Sequence, residues 1–349
     1  MLGAREAALA PPRALGLPLE PVLLRATAED FVVEEDLGFA PSGSGQHLLL
    51  RVRKREANTA WVARALARVA GCREFEVGYA GLKDRRALAL QWFSVPRTAG
   101  VADWSTVRGE GFEVLEAHPH ARKLPRGALA GNHFAVRARI DDGDGAALAA
   151  RLAPRLAQLA ARGVPNYFGP QRFGRAGANL AGAAAALGSL RREQRGFVLS
   201  AARSALFNAV LAARVAAGSW EGLLPGELAM LDGRGSIFAV PVPDAQLLAR
   251  CARLEIHPTG PMWGAGEPAT QSQVRELEGA VAERLHDQAA LCAAAGMRQE
   301  RRSLRLSVRE LGCEAEPAAV WLRFRLGRGC FATAVLRELF ADGADTGLE

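Results

Sequence analysis

Residues 74–95 read EFEVGYAGLKDRRALALQWFSV, and this stretch predicts two strands joined by a glycine-containing loop. Apolar residues alternate with polar or small ones on both sides of the loop: Phe75, Val77 and Tyr79 before it, and Leu88, Leu90 and Trp92 after it. Alternation with a period of two is typical of strands with one buried face. Gly78 and Gly81 allow backbone angles that other residues avoid. We therefore expect Lys83 and Asp84 to lie on the connecting loop.

The segments that flank this stretch also carry strand patterns, and they predict a larger sheet. Residues 22–53 are rich in β-forming residues on both sides of the turn PSGSG. Residues 133–140 place an apolar residue at every second position, as in a half-buried strand. Residues 58–71 show helical spacing instead, with Gly71 suited to end the helix.

A different composition begins near residue 145. Three long Ala- and Leu-rich helices are predicted, over residues 145–163, 197–218 and 270–296. Thr270 and Gln273 form the pattern of a capping box at the start of the third. Residues 176–190, mostly Ala and Gly, predict a further helix or loop. Strand patterns and a short helix follow, over residues 303–308, 320–326 and 332–340. The order predicts an α+β fold in which a helical domain interrupts a sheet-based domain; three successive small domains are the alternative.

The composition favours a folded protein with a polyanionic partner. The 349 residues include 44 Lys and Arg against 37 Asp and Glu, which gives a net charge of +7 and a pI near 9.7. Such a balance suits nucleic acid or an anionic membrane surface. No uninterrupted apolar signal segment or span of about 20 apolar residues is evident, so we expect no membrane association. Five cysteines without C-x-x-C spacing predict reduced thiols and a cytoplasmic location.

Common signatures of nucleotide, dinucleotide, zinc-protease and hydrolase sites do not occur in the sequence. The histidines do not pair with cysteines at metal-ligand spacing, and the nearest candidate, HPH at 118–120, has no acidic or thiol residue beside it. We therefore expect no metal and no cofactor.

Asp84 is the residue most suited to catalysis, because a carboxylate on a loop between two strands is held rigidly and still reaches a cleft. An ordinary turn aspartate is the alternative, and composition alone favours it. The lysine content instead favours a functional role for this loop. Only Lys54, Lys83 and Lys123 are lysines among the 44 basic residues, which suggests places where a guanidinium cannot replace an ammonium. One of them, Lys83, adjoins Asp84.

Six blocks of sequence, in order along nearly the whole chain, resemble the TruD family of tRNA pseudouridine synthases. They are EDFVVEEDLGF (29–39), AGLKDRRALALQ (80–91), RKLPRGALAGNHF (122–134), GVPNYFGPQRFG (163–174), LSAARSALFNAV (199–210) and GCFATAVLREL (329–339). The fourth block is the most specific. A lone Lys-Asp pair would not indicate the family, whereas six blocks in the same order do.

The resemblance implies a pseudouridine synthase catalytic domain with a mixed, mainly antiparallel sheet. It implies that residues 1–158 and 304–349 form this domain and that residues 159–303 form an inserted α-rich domain. The expected reaction converts uridine to pseudouridine in tRNA, at position 13 in the D arm. The tRNA is the expected partner, and no obligatory protein partner is evident.

The resemblance also assigns residue roles. Asp84 is the expected nucleophile, and the expected substrate-binding residues are Phe31, Asn132, Phe134, Phe331 and Lys83. Tyr79 stands where relatives are expected to carry Phe, and no catalytic role is assigned to it. Without the resemblance, a Phe on an alternating strand is more often a core residue, and Asn after Gly is an ordinary turn pair.

The reaction needs these residue types. Breaking the N1–C1′ bond and rejoining the uracil through C5 involves no net redox change, so a carboxylate suffices to attack the ribose or the uracil, or to stabilise positive charge on the sugar. The base must leave its stack, which requires aromatic faces and a polar edge contact. Basic residues that suit RNA phosphates are Arg122, Lys123, Arg126, Arg172, Arg175, Arg323 and Arg325. The alternatives are a non-catalytic RNA-binding or chaperone protein and a hydrolase in which Asp84 activates water.

Overall fold

A computed structural model describes residues 2–97, 103–141, 143–180 and 191–341. Its described residues group into two compact units. The sheet unit comprises Glu20–Pro154, Arg309–Gly329 and Ala341–Glu349, and the helical unit comprises Met1–Leu19, Arg155–Val308 and Cys330–Phe340. A helix or loop was predicted over residues 176–190, of which residues 181–190 lie outside the described residues.

The helices are α1 (Ala4–Leu9), α2 (Thr59–Ala70), α3 (Gly145–Arg162), α4 (Arg192–Ala216), α5 (Ala245–Ala252), α6 (Ser272–Arg284), α7 (His286–Ala294) and α8 (Ala332–Leu339). The strands of the first half are β1 (Leu19–Pro21), β2 (Leu23–Leu24), β3 (Phe31–Asp36), β4 (His47–Arg55), β5 (Gly78–Tyr79), β6 (Leu88–Pro96), β7 (Arg108–Gly109), β8 (Phe112–His120) and β9 (Gly131–Arg139). Those of the second half are β10 (Val164–Pro165), β11 (Glu227–Leu231), β12 (Ile237–Val240), β13 (Ile256–Met262), β14 (Glu300–Ser303), β15 (Arg305–Leu306), β16 (Arg309–Glu316), β17 (Ala319–Gly327) and β18 (Phe340–Ala341).

The sheet unit is built on one ten-stranded sheet. Its main path runs β16-β17-β9-β3-β6-β4-β8-β7, with β2 paired to β9 and β5 paired to β6. Among the described strands of this sheet, β3 and β6 pair in parallel and the other neighbours pair antiparallel. The predicted α+β fold with a mixed, mainly antiparallel sheet is therefore confirmed.

Helix α2 covers one part of this sheet because its apolar residues recur at helical spacing. Val62 and Leu66 are fully buried in a core that also holds Phe93 and Val95 of β6. The helix ends at Gly71, whose φ of 63° is the left-handed conformation that glycine adopts without a Cβ clash. The predicted helix and its termination are confirmed.

The helical unit is centred on α4. The side chain of Asn208, fully buried in α4, donates to the carbonyl oxygens of Ala7 (3.1 Å) and Phe168 (3.0 Å) and accepts from the Phe168 amide (2.9 Å). A four-stranded sheet of order β12-β11-β13-β14 belongs to the same unit. Segments from the start, middle and end of the chain therefore belong to one compact unit, and the predicted inserted domain over 159–303 stays a prediction.

Among the residues that the structure describes, one helix, Gln194–Ala216, is long and apolar enough to cross a membrane by length and composition. Most of its apolar window, 61%, is buried inside the protein. Because core helices of folded domains meet the same criterion, this is weak grounds for a membrane segment.

Some local predictions were wrong. Residues 74–76 form a 3-10 turn with Phe75 exposed, so the strand before the loop is only Gly78–Tyr79. The capping box is not formed, because the Thr270 hydroxyl donates to buried Glu278 (2.9 Å). The predicted helix over 270–296 is divided into α6 and α7. At Thr270 the side-chain contact with Glu278 outweighs the local pattern.

Candidate active site

Asp84 lies on the loop between β5 and β6, as the sequence predicts. Its side chain is 40% exposed, and its Oδ2 atom lies 2.9 Å from Nη1 of Arg25. Its Oδ1 atom accepts a hydrogen bond from the Arg86 amide at 3.3 Å. The carboxylate is thus oriented by a cation and a main-chain donor while remaining open to solvent.

Arg25 was missed by sequence reasoning, because nothing distinguishes it among the many arginines of the chain. Its side chain is only 8% exposed, and its guanidinium lies 4.1 Å from the centre of the Phe31 ring. Its φ of 56° is a left-handed conformation that a non-glycine residue rarely adopts. This residue therefore links Asp84 to one of the predicted substrate-binding aromatics.

Three of the predicted binding residues lie on adjacent strands β3 and β9. Phe31 and Phe134 meet edge to face with ring centres 6.1 Å apart, and Phe134 stacks on Phe324 of β17 at 5.3 Å. Phe31 is 3% exposed, and Phe134 and Asn132 are each 9% exposed. The aromatics are thus part of the packed face of the sheet, and contact with a base stays a prediction.

Lys83 is buried beneath the loop rather than directed to solvent. Its side chain is 7% exposed, its Nζ atom lies 2.9 Å from Oε1 of Glu35, and it also donates to Oδ1 of Asn132. Glu35 of β3 pairs with Asn132 of β9 in the sheet register. The ammonium therefore joins the loop to two strands. Its predicted role in substrate binding stays a prediction.

Phe331 belongs to the helical unit, where it precedes α8 and is 39% exposed. Its ring centre lies 6.4 Å from that of Phe168 and 6.0 Å from the guanidinium carbon of Arg302. Arg302 also lies 4.3 Å from the centre of Phe168 and donates to Oδ1 of Asn166 at 2.6 Å. Burial lowers the pKa of Arg302 to about 10, so it stays charged at neutral pH. Phe331 thus presents a partly exposed ring beside a partly buried cation.

Several basic residues that the sequence suggested for phosphate contact already have partners within the protein. Arg325 pairs with Asp36 at 2.6 Å, and Arg323 with Glu314 at 3.3 Å. Arg126 lies 3.4 Å from the centre of the Tyr79 ring. The Nζ atom of Lys123 donates to the Phe75 carbonyl, and Arg172 donates to Ser200 Oγ at 3.0 Å. Arg122 and Arg175 are exposed. Phosphate contact by any of them stays a prediction.

The histidines at 118 and 120 have ordinary protein partners. His118 lies 3.0 Å from Glu116, and His120 accepts from the Ser42 amide at 3.2 Å and stacks on Phe39. Within the described ranges, no group of three or more His, Cys, Asp or Glu side chains is placed to hold a metal ion.

Comparison with known proteins places this geometry in a family. The model of the family described as tRNA pseudouridine synthase D (TruD) matches residues 21–181 and 177–339. The chain belongs to the TruD family. It is therefore an enzyme of the isomerase class, as pseudouridine synthases are.

Individual relatives agree with the TruD assignment. A tRNA pseudouridine synthase D of Xanthomonas axonopodis pv. citri is 46% identical over 96% of this chain and 95% of its own length. The tRNA pseudouridine synthase D of Nitrosococcus oceani is 46% identical over 92% of this chain and 91% of its own length. That of Aeromonas hydrophila is 42% identical over 95% of this chain and 94% of its own length. A crystal structure described as a TruD protein of Methanosarcina mazei has a TM-score of 0.74, with 19% identity over 97% of this chain and 98% of the other. The last likeness shows the TruD fold.

Proposed function

We propose that this TruD family member converts a uridine of tRNA to pseudouridine with Asp84 as its catalytic carboxylate. The observation that carries the assignment is the Asp84 loop. A carboxylate that is 40% exposed lies 2.9 Å from the largely buried guanidinium of Arg25. The ion pair orients the carboxylate, which can then act as nucleophile or stabilise a cationic sugar.

The chemistry that we assign to this site balances without a redox partner. The N1–C1′ bond breaks, the detached uracil rotates, and a C5–C1′ bond forms. C5 then loses its proton and N1 gains one. Asp84 attacks either the ribose or the uracil, or stabilises the sugar cation, while Asn132 reads the polar edge of the base. Phe31, Phe134 and Phe331 are the proposed aromatic contacts, and Lys83 orients Asn132.

The proposal extends to the substrate and its setting. We assign the target to position 13 in the D arm of tRNA, and the inserted domain over residues 159–303 to RNA contact. The net charge of +7 supports a polyanionic partner. We also propose a cytoplasmic location, supported by cysteines without paired spacing.

The test uses a tRNA transcript with uridine at position 13 and a matched transcript with cytidine there. After incubation, pseudouridine is mapped by carbodiimide modification and alkaline treatment. We expect wild-type protein to modify only the first transcript, and Asp84→Asn to modify neither while binding both with wild-type affinity at one salt concentration. Mass spectrometry of the variant excludes deamidation back to aspartate.

Other results would overturn specific parts of the proposal. Modification at another uridine would exclude position 13 as the target. Turnover by Asp84→Asn would remove the carboxylate from the mechanism. Binding without any new pseudouridine in wild type would favour the RNA chaperone, whereas base or strand loss would favour a hydrolase.

A further inference from the structure

The backbone of the Asp84 loop is held by buried polar side chains that lie outside the loop. Lys54 of β4 is 0% exposed, and its Nζ atom donates to the main-chain carbonyl oxygens of Asp84 (2.6 Å) and Ala57 (2.9 Å). The lysine therefore binds the main-chain carbonyl oxygen of Asp84, the proposed nucleophile, and not its carboxylate. Arg25 is the cation that meets the carboxylate.

Two further buried residues hold the same loop at earlier positions. The Thr59 hydroxyl, at the start of α2, accepts from the Lys83 amide at 3.0 Å and donates to Oε1 of Gln91 at 3.1 Å. Nε2 of Gln91, on β6, donates to the Gly81 carbonyl at 2.7 Å. Thr59 is 2% exposed and Gln91 is 0% exposed. Consecutive parts of the loop are thus tied to a strand, a helix and a second strand.

Burial of such groups is costly, which argues that the arrangement has a function. An ammonium loses several kcal/mol of hydration when it is buried without a paired anion. Apolar residues would stabilise a loop of the same shape at least as well, since replacing a buried polar set by apolar groups is often neutral or stabilising. Apolar residues, however, would not form the directional hydrogen bonds that orient the main-chain carbonyl groups of the loop.

We propose that Lys54, with Thr59 and Gln91, is a positioning residue for Asp84: its ammonium fixes the main chain from which the carboxylate projects toward the reacting sugar. This inference rests on the proposed role of Asp84. An ammonium suits the task because it is compact and has three donors, two of which reach the carbonyl oxygens of Asp84 and Ala57. Lys54 is one of only three lysines in this arginine-rich chain.

The first test is Lys54→Met, which keeps the length of the side chain and removes its donors. We expect kcat on tRNA to fall about 100-fold, the effect of a nucleophile displaced by roughly 1 Å. KM should stay within about twofold because the RNA contacts are unchanged. Thr59→Val and Gln91→Leu should each lower kcat by about tenfold with the same unchanged KM.

The matched control is Val95→Ala, which removes apolar volume from the core of the same unit, four positions after Gln91 on β6. It should lower Tm and leave kcat unchanged. A chemical rescue separates positioning from packing: n-propylamine should restore part of the kcat of Lys54→Ala, and n-propanol should not. If Lys54→Met does not fold, the rescue and the Thr59 and Gln91 variants decide the question.

Two failures are distinguishable. If Asp84→Asn keeps turnover, the role of Asp84 is lost and the positioning role falls with it. If Asp84→Asn abolishes turnover while the Lys54, Thr59 and Gln91 variants keep wild-type kcat, or lose kcat only in proportion to Tm as Val95→Ala does, the positioning role alone is overturned.

Discussion

Lys54 is a buried cation of the sheet unit and Arg302 a partly buried cation of the helical unit, and they hold different kinds of partner. The ammonium of Lys54 binds two main-chain carbonyl oxygens at 2.6 and 2.9 Å, whereas the guanidinium of Arg302 lies against the rings of Phe168 and Phe331. Burial lowers the pKa of both, of Lys54 to about 8 and of Arg302 to about 10. A compact cation thus holds the main chain of the Asp84 loop, and a planar one lies against aromatic rings.

The largest expected effect is on the pH dependence of stability, and it tests the burial of Lys54. Between pH 8 and 10.5 the unfolded chain keeps a proton on this lysine and the folded chain does not. The unfolded state therefore binds more protons, and this group makes the fold more stable as pH rises through that window. We expect wild type to gain up to about 3 kcal/mol relative to Lys54→Met across it.

Denaturant titrations of both proteins at several pH values measure this difference. Other groups titrate in the same range, including the Cys292 thiol, whose pKa burial raises to about 11, and they cancel in the comparison. Parallel curves for the two proteins would show that Lys54 keeps an ordinary pKa in the fold.

Next in size is the effect of Arg302, and it tests whether the planar shape matters. Arg302→Met should lower the free energy of unfolding by about 2 kcal/mol, because the contacts with the rings and with Asn166 are lost. Arg302→Lys should be nearly as destabilising, since an ammonium lacks the planar face that lies over Phe168. Thermal and denaturant unfolding measure both. Wild-type stability in the lysine variant would show that charge alone is sufficient.

A smaller effect is expected for Phe331, which is 39% exposed beside Arg302. Phe331→Ala should lower kcat/KM on tRNA by about tenfold, a loss near the low end of the 1 to 3 kcal/mol that base stacking supplies. Its Tm should change little because much of the ring is exposed. Phe331→Leu serves as a control that keeps apolar volume without an aromatic face. A large loss of Tm with unchanged turnover would mark Phe331 as a core residue.

The smallest effect is expected for Tyr79, where an exposed cation meets an aromatic ring. Arg126 lies over the ring at 3.4 Å, and the ring also contacts Phe93 at 5.8 Å between ring centres. Tyr79→Phe keeps both contacts and removes only the hydroxyl, so kcat and KM should stay within about twofold. A loss of turnover in steady-state assays would instead give the hydroxyl a part in the reaction.

The strand and helix patterns could be read from the sequence because they depend on local periodicity. The alternation of residues 133–140 gave β9, and the helical spacing of residues 58–71 gave α2 ending at Gly71. The Asp84 loop followed from glycines between two apolar runs. The family blocks then supplied the residue roles, which periodicity alone does not contain.

The site itself was decided by tertiary structure. Arg25 and Asp84 are far apart in sequence, and their ion pair arises because β3 and β6, strands near them, pair in parallel. The same holds for Lys83, whose partners Glu35 and Asn132 meet across the β3–β9 register. Lysine scarcity indicated that Lys54 and Lys83 were special, but not what they bind. Hydrogen bonds and ion pairs between distant segments depend on strand order, and a local pattern carries no information about that order.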